Sequence, residues 1–346
     1  MNIALVSAKK TGTSEKLLNH AQKYFKEVEF FNIKNLKLVA GKKSDVLVNG
    51  KSLKDFSCAY LRGSYKYAKL LYSTASLLGN HCYMPISPQA FLLAHDKFLT
   101  ILKLIENSLP IPETYFVYNP EVAKDIGKQL NFPIVIKLPE GSHGKGVVFA
   151  DSLSSYNSII DALIKTSNTP LVIEEYIETG ATDIRAFIIG KDVYAMKRIA
   201  SKEELRANIH AGAKGIAYDL DYDTKAIALK ASKIFGFEIG AVDILKSGIK
   251  TAIIEINVSP GTEGISKALK IDMAEKIIKF LKEKTEEKNE AREKIEVKDA
   301  REIVCGLDIK AGIIKLPKII TKISEFLPGD EVKIKAEKGF IKIEKI

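Results

Sequence analysis

Short apolar runs alternate with a helical pattern over the first 85 residues. The runs at 3–6, 28–31 and 58–61 are typical of buried strands. After the first run, a polar turn with Gly12 leads into apolar residues that recur at helical spacing between 17 and 25. Strands that alternate with helices build open sheets, so this pattern predicts an α/β domain.

The middle of the chain combines helical and strand patterns in an order that differs from dinucleotide-binding folds. Apolar spacing predicts helix between 91 and 105, ending before Pro110. Strands are predicted at 133–138 and 147–149, with a glycine-rich loop between them, whereas a Rossmann motif needs a helix after its loop. The remaining predictions are strands at 171–177, 183–189, 192–198, 242–245 and 251–258 and a helix at 225–235.

The end of the chain changes in character. Helical spacing over 271–294 becomes increasingly charged and indicates a helix that frays into a solvated linker. The last fifty residues alternate short apolar runs with turns and predict a separate small β-rich module. Its predicted strands are 304–309, 313–316, 332–336 and 340–343, with a short helix at 317–326.

Composition narrows the class of protein. The 346 residues are 46% hydrophobic and 28% charged, which is typical of a globular protein. No apolar run reaches the roughly 18 residues of a membrane-spanning helix, and three distant cysteines predict no disulfide framework, so we expect a cytoplasmic protein without a membrane partner. A formal net charge of +10 favours anionic partners such as nucleotides or acidic substrates.

Three oxygen-bearing side chains lie on two predicted neighbouring strands. Alternation places Glu255 and Asn257 on one face of their strand, and the preceding strand carries Asp243 among apolar residues. Buried carboxylates are costly unless they are paired or bind a metal, and Mg²⁺ prefers oxygen ligands. The pattern therefore suggests a metal site, with a solvated polar face on an edge strand as the alternative.

Two lysines and a glycine-rich loop are suited to binding an anion. Lys137 ends an apolar strand just before the loop at 141–146, and Lys97 begins a helix after Asp96. A lysine at a strand end reaches phosphate as a point charge, and glycines let backbone N–H groups approach anionic oxygens. The alternatives are lysines that extend to solvent and an ordinary hairpin turn.

Several charged side chains lie on the next predicted hairpin. Alternation places Asp183 and Arg185 on one face, and Arg198 lies on the following strand, with Asn208 beyond it. Guanidinium groups around one site suit recognition of carboxylate or phosphate, whereas the alternative is a surface ladder of ion pairs.

The order of these groups resembles that of ATP-grasp ligases, and most closely the RimK-like branch, whose members add amino acids, often glutamate, to a carboxylate. The similarity runs from about 87 to 281 and is most specific at 206–210 and 257–264. The first 85 residues resemble the family loosely, with Arg62 where relatives keep an arginine. The other matching segments are 94–97, 111–114, 136–137, 174–177, 183–185 and 195–198.

The resemblance implies an α/β (α+β) architecture and an ADP-forming ligase that uses ATP and Mg²⁺ or Mn²⁺ to join a carboxylate acceptor to an amino acid. Its implied domains are a pre-ATP-grasp domain at 1–86, two lobes at 87–173 and 174–285, a linker at 286–295 and a β-rich domain at 296–346. The implied catalytic residues are Arg185, Arg198 and Asn208, and the implied metal ligands are Asp243, Glu255 and Asn257. The residues implied to bind ATP are Lys97, Lys137, Gly144, Lys145, Gly146, Glu174, Glu175, Tyr176, Ile177, Asp183 and Lys197.

The chain departs from the family pattern close to the implied substrates. Relatives often keep a basic residue and paired glycines after the histidine, whereas here Ala-Gly-Ala-Lys follows His210, and Lys145 lies where an apolar residue is common. The acceptor is therefore left open between a coenzyme that ends in glutamate, a ribosomal-protein tail and an amino-group carrier protein.

The last fifty residues resemble an AbrB/MazE-type swapped-hairpin domain, through 313–317 and 328–332. Such domains usually form intertwined dimers and often bind DNA, so the alternative function is a DNA-binding regulator that uses the ligase body as a ligand sensor. Residues 296–346 contain eleven Lys and Arg against nine Asp and Glu, which is a weak basic bias for DNA. The composition favours a homodimer or higher oligomer formed through this domain over DNA binding.

Overall fold

The computed structural model describes residues 1–10, 12–138, 147–166, 170–200, 214–248, 250–299, 308–310, 313–315, 327 and 329–345. The chain divides into two compact units, residues 1–286 and residues 287–346. Within the described ranges, no helix is both long and apolar enough to cross a membrane.

The amino-terminal part of the first unit is built on a small parallel sheet. Its elements are β1 (Asn2–Ser7), α1 (Thr13–Tyr24), β2 (Glu27–Asn32), β3 (Lys37–Val39), β4 (Asp45–Val48), β5 (Lys51–Ser52), β6 (Cys58–Leu61) and α2 (Ala68–Leu78). The parallel sheet has the strand order β2–β1–β6, and β3, β4 and β5 form a separate antiparallel sheet. Ile3 and Ala4 of β1 are fully buried, as expected for the central strand of a parallel sheet. The predicted α/β arrangement is confirmed.

A four-stranded antiparallel sheet follows, with its own apolar core. Its elements are α3 (Pro88–Leu93), α4 (Lys97–Glu106), β7 (Thr114–Val117), α5 (Pro120–Gly127), β8 (Ile134–Lys137), β9 (Val147–Ala150), α6 (Leu153–Thr166) and β10 (Leu171–Glu175). The strand order is β7–β10–β8–β9. Ile136 and Ile173 face a core that includes Ala123 of α5 and Ile160 of α6. The opposite face of this sheet carries Lys137 and Glu174.

The helix expected between 91 and 105 is in fact two helices, α3 and α4. Asp96 separates them because its Oδ1 accepts a hydrogen bond from the backbone N–H of Leu99 at 3.0 Å, which caps the start of α4. The cap places Lys97 in the first turn of α4.

The largest sheet has five antiparallel strands in the order β13–β12–β11–β14–β15. The elements are β11 (Thr182–Ile189), β12 (Asp192–Ile199), β13 (Lys214–Ala217), α7 (Tyr222–Phe235), β14 (Ile239–Ser247), β15 (Lys250–Asn257), α8 (Glu263–Leu269) and α9 (Met273–Asp299). Both predicted hairpins are confirmed. Gly190 turns the first hairpin at φ +61°, and a Cβ there would lie 2.5 Å from the ring of Phe280, so a glycine is required.

The described part of the second unit consists of two antiparallel strand pairs. They are β16 (Asp308–Lys310) with β17 (Ile313–Lys315) and β18 (Val332–Glu337) with β19 (Phe340–Lys345). The predicted hairpin of 332–336 with 340–343 is confirmed, and the predicted helix at 317–326 lies outside the described residues. The swapped-hairpin resemblance stays a prediction.

Candidate active site

One face of the five-stranded sheet gathers the charged residues that the sequence singled out. Asp183 pairs with Arg198, and Arg185 with Asp243, across neighbouring strands. Asp243 in turn lies directly opposite Glu255, next to a bulge between Asp243 and Ile244. Directly opposed residues in antiparallel strands project to the same face, so all five side chains share one face of the sheet. The sequence could not supply the register of β14 and β15, on which this result depends.

Two arginines and two aspartates on this face form a continuous network. Arg185 donates to both carboxylate oxygens of Asp243, through Nε to Oδ1 at 2.8 Å and Nη2 to Oδ2 at 2.7 Å. Arg198 contacts both carboxylates: Nη2 donates at 2.8 Å to Oδ2 of Asp183 and at 2.8 Å to Oδ2 of Asp243, and Nε pairs with Asp183 Oδ1. Such bidentate, charge-assisted pairs fix the orientation of the guanidinium planes.

The two aspartates respond differently to this network. Burial alone raises the pKa of both carboxyl groups. At Asp243 the charges and hydrogen bonds of Arg185 and Arg198 outweigh the effect of burial and lower its pKa to about 2. Asp183 contacts only Arg198, and burial together with the nearby charge of Asp243 raises its pKa to about 6. Asp243 is therefore the carboxylate that stays ionised throughout the physiological range.

Glu255 differs from both aspartates because no described residue forms a hydrogen bond or an ion pair with it. Its side chain is accessible to solvent, yet the surrounding protein and the neighbouring charge of Asp243 raise its pKa. The charges of Arg185 and Lys97 partly oppose that increase. A carboxylate with a raised pKa and no partner is well suited to a cation.

The donor set fits the predicted Mg²⁺ site. Asn257 lies two residues after Glu255 and so projects to the same face. Oδ1 of Asp243 accepts one of the three guanidinium hydrogen bonds to that carboxylate, which leaves it a lone pair. The described residues contain no cluster of three His, Cys, Asp or Glu side chains, so the site needs Asn257 as its third protein ligand.

The four-stranded sheet contributes a lysine and a carboxylate. Lys137 Nζ lies 2.5 Å from Glu174 Oε2, and both side chains are largely buried. Burial lowers the pKa of Lys97, while the charges of Glu255 and Glu174 raise it and that of Lys137 lowers it. Lys97 thus lies close enough to feel the charge of the carboxylate on β15 and the charges of the pair on the four-stranded sheet.

Aromatic rings line the same face of the four-stranded sheet as Lys137. Phe149 lies opposite Val135 in β8, two residues from Lys137. Its ring packs edge-to-face on Tyr176, with centroids 5.9 Å apart. Tyr176 was expected to bind adenine and lies here beside the buried Ile177. Sequence reasoning missed Phe149, because its face relative to Lys137 depends on the pairing of β8 with β9, which a single sequence does not give.

Two residues that were predicted to contact ATP, Glu175 and Lys197, have other described partners or lie on another face. Glu175 binds Lys250 through both carboxylate oxygens at 2.7 Å and accepts from the backbone N–H of Glu113 at 2.9 Å. Lys197 lies opposite Ile184, on the face of the sheet away from Arg198. Their contacts with ATP stay predictions, and four other predicted residues lie outside the described residues: Gly144, Lys145, Gly146 and Asn208.

Comparisons with known proteins agree with this arrangement. Residues 94–281 match the family model of the RimK-like ATP-grasp domain. The chain is 41% identical over 194 residues to a "Probable alpha-L-glutamate ligase" of Legionella pneumophila, covering 55% of this chain and 64% of that protein. It is 37% identical over 192 residues to a protein of the same name from Thioalkalivibrio sulfidiphilus, with the same coverage. The chain thus matches about 64% of the length of these relatives.

Solved structures share the fold at low sequence identity. A RimK domain ATP-grasp protein from Sphaerobacter thermophilus superposes with a TM-score of 0.64 at 17% identity, over 81% of this chain and 99% of that one. The ATP-grasp ligase PsnB, in complex with a minimal precursor, Mg and ADP, gives a TM-score of 0.65 at 17% identity, over 82% and 98%. These likenesses establish an ATP-grasp fold.

Proposed function

The chain belongs to the RimK-like ATP-grasp family, and we propose that it is an ATP-dependent ligase that joins a carboxylate to the amine of an amino acid. The observation that carries the proposal is the register of β11, β12, β14 and β15, which brings Arg185, Arg198, Asp243 and Glu255 onto one face. The electrical coupling of Lys97 to Glu255, Lys137 and Glu174 supports a cleft with cationic and anionic walls.

The proposed reaction has two steps. An oxygen of the substrate carboxylate attacks the γ-phosphorus of ATP, the bond to the β–γ bridging oxygen breaks, and an acyl phosphate and ADP form. The free amine of the amino acid then attacks the acyl carbon, the bond from carbon to phosphate breaks, and the amine releases a proton to solvent. The products are an amide, ADP and inorganic phosphate.

Each group of residues has a separate task in this scheme. Lys97 and Lys137 neutralise the phosphates, since phosphoryl transfer depends mainly on positioning and charge stabilisation. Glu255, Asn257 and Oδ1 of Asp243 would hold Mg²⁺, which supplies charge neutralisation between the phosphate oxygens. Arg185 and Arg198, held in place by the aspartates, would stabilise the acyl phosphate and the oxyanion of the tetrahedral intermediate.

We propose glutamate as the amino acid. The curated relatives named above are called alpha-L-glutamate ligases, and a protein with a net charge of +10 attracts an acidic substrate. The candidate acceptors are a coenzyme that ends in glutamate, a ribosomal-protein tail and an amino-group carrier protein.

The decisive experiment measures ADP release over the twenty amino acids, each paired with each candidate acceptor, followed by the mass of the product. ADP release that requires both substrates, with a product heavier by one amino-acid residue, is the expected result. ADP release without any new amide, or no dependence on an amino acid, would refute a ligase.

The β-rich tail is proposed to form dimers. The near balance of charge in residues 296–346 supports this over DNA binding. Light scattering of the full chain and of a chain that ends at residue 286 tests the dimer, and we expect twice the single-chain mass for the first and the single-chain mass for the second. Duplex binding that weakens steeply with salt would instead support the regulator.

A further inference from the structure

Arg62, in the amino-terminal domain, contacts the loop that follows the predicted metal ligands. It lies directly after β6, at the carboxyl end of the parallel sheet, and is only 8% exposed. Its Nη2 donates to the carbonyl oxygens of Ser259 at 3.2 Å and Pro260 at 2.8 Å, and its Nη1 donates to Tyr60 Oη at 2.9 Å. Among the described residues no carboxylate pairs with this guanidinium, so its described partners are the two loop carbonyls and one hydroxyl.

A second set of hydrogen bonds joins the same loop to Asn257. The backbone N–H of Gly63 donates to Ser259 Oγ at 3.1 Å, and the backbone N–H of Ser259 donates to Asn257 Oδ1 at 2.9 Å. Two residues beyond Pro260, the backbone N–H of Thr262 donates to Thr13 Oγ1 at 3.0 Å. The amino-terminal domain therefore holds the loop at both ends.

We infer that Arg62 is a positioning residue for Asn257, so that the amino-terminal domain completes the metal site of the ATP-grasp domain. Arg62 fixes the carbonyls of Ser259 and Pro260, which fixes the Ser259 N–H that orients the Asn257 amide. This inference rests on the proposed function, since it concerns the Mg²⁺ site. Substrate binding by Arg62 is not favoured, because the guanidinium is buried and both terminal nitrogens already donate to protein oxygens.

The test compares nucleotide binding with and without Mg²⁺. Calorimetry gives the Kd of ADP in excess Mg²⁺ and in EDTA for the wild-type protein, Arg62→Ala, Arg62→Lys and Tyr60→Phe. We expect Arg62→Ala to lose about 10-fold or more of the enhancement that Mg²⁺ gives to ADP binding, a typical effect of losing a residue that orients a metal ligand. Its affinity in EDTA should equal that of the wild type.

The two other variants are matched controls. Arg62→Lys keeps a cation that can reach one carbonyl and should retain part of the enhancement. Tyr60→Phe removes the described side-chain hydrogen bond of Arg62 that does not reach the loop, keeps the ring beside the guanidinium, and should retain all of the enhancement. If Arg62→Ala does not fold, as judged by circular dichroism, Arg62→Lys gives the same comparison.

Three results would overturn the inference. The first is an unchanged enhancement of ADP binding by Mg²⁺ in folded Arg62→Ala, which shows that Asn257 does not depend on Arg62. If the alanine variant does not fold, the same result in Arg62→Lys has this meaning. An equal loss of affinity in Mg²⁺ and in EDTA shows that Arg62 only packs the domains together. Mg²⁺-independent ADP binding by the wild-type protein would refute the proposed metal site itself, which separates that failure from a failure of Arg62.

Discussion

Asp243 and Glu255 lie directly opposite each other on β14 and β15, yet of these two carboxylates only that of Asp243 is bound by guanidinium groups of the described residues. The charge of Asp243 is therefore neutralised by protein, whereas that of Glu255 is not. Two neighbouring carboxylates with one set of counter-ions leave a local excess of negative charge on this face. A divalent cation would relieve that excess, because like charges at close range raise each other's pKa.

Glu255→Gln should nearly abolish ADP formation while the protein stays folded. The amide keeps the shape of the side chain but removes the charge that the cation needs, and losing metal-based charge stabilisation should cost about 100-fold or more in rate. Because the surrounding protein and Asp243 both disfavour the ionised carboxylate, the thermal midpoint should stay equal or rise. Turnover close to that of the wild type would contradict the assigned role.

Arg198→Met should destabilise the fold more than Arg185→Met does. The side chain of Arg198 is 6% exposed and is shared by two carboxylates, whereas that of Arg185 is 15% exposed and contacts Asp243, which also keeps Arg198. Breaking a buried ion pair leaves an uncompensated charge and costs about 3–5 kcal/mol. Chemical denaturation measures the difference, and equal losses in the two variants would show that the network does not depend on Arg198.

Acid should partly rescue Arg198→Met. Loss of the guanidinium raises the pKa of the buried Asp183 further above about 6, so the folded variant binds more protons than the unfolded chain. Relative to the wild type at the same pH, the stability of the variant must then increase as the pH falls from 7 to 5, because His95 affects both proteins equally. A difference in denaturation midpoint between variant and wild type that does not shrink over this range would argue against Asp183 as the uncompensated charge.

Glu174→Gln should weaken ATP binding more than Glu175→Gln. Glu174 is 4% exposed and pairs with Lys137 in the cleft. The carboxylate of Glu175 is held instead by Lys250, which is half exposed, and such pairs contribute little. We expect about 10-fold weaker binding for the first variant, typical of a lost charged hydrogen bond, and a change within about twofold for the second. A larger loss of ATP affinity in Glu175→Gln than in Glu174→Gln would instead assign Glu175 to the ATP site.

His95 should make the protein sensitive to acid. Burial lowers the pKa of its imidazole to about 4, and Nε2 has no hydrogen-bond partner among the described residues. Between pH 6.5 and pH 4 the unfolded chain therefore binds a proton that the folded protein does not, so stability falls as the pH falls, by about 3 kcal/mol at most.

His95→Leu should flatten this dependence, because leucine cannot take up a proton in the unfolded chain. Denaturant midpoints of the wild type and the variant at pH 7, 6, 5 and 4 provide the measurement. Parallel curves for the two proteins would assign the acid sensitivity to other groups.

The elements that local pattern controls could be predicted from the sequence. The hairpins around residues 190 and 248 were predicted because glycine turns and strict alternation are encoded within a few residues. The common face of Glu255 and Asn257 follows from the same period of two. The position of Glu255 opposite Asp243 could not be predicted, because it depends on a register that a bulge beside Asp243 shifts.

Other features depend on long-range packing. Apolar spacing predicted one helical stretch because it continues through the break at Asp96, whereas the start of a helix at Lys97 was predicted separately and is confirmed. Helices α5 and α6, and the small sheet of β3, β4 and β5, were not predicted because their patterns are short or weakly periodic. The contact of Arg62 with Pro260 spans 198 positions of the chain, a separation at which a single sequence carries no pairing signal.

The link between Arg62 and the 257–264 loop bears on how this protein can be shortened or recombined. A fragment that begins at residue 87 would retain every predicted nucleotide contact, yet it would leave the carbonyls of Ser259 and Pro260 without their guanidinium donor. Chimeras that exchange the amino-terminal domain would therefore need a replacement domain with an arginine at the end of the equivalent strand. Residues before 87 donate hydrogen bonds to the 257–264 loop, so residue 87 is an unsuitable place to truncate the chain.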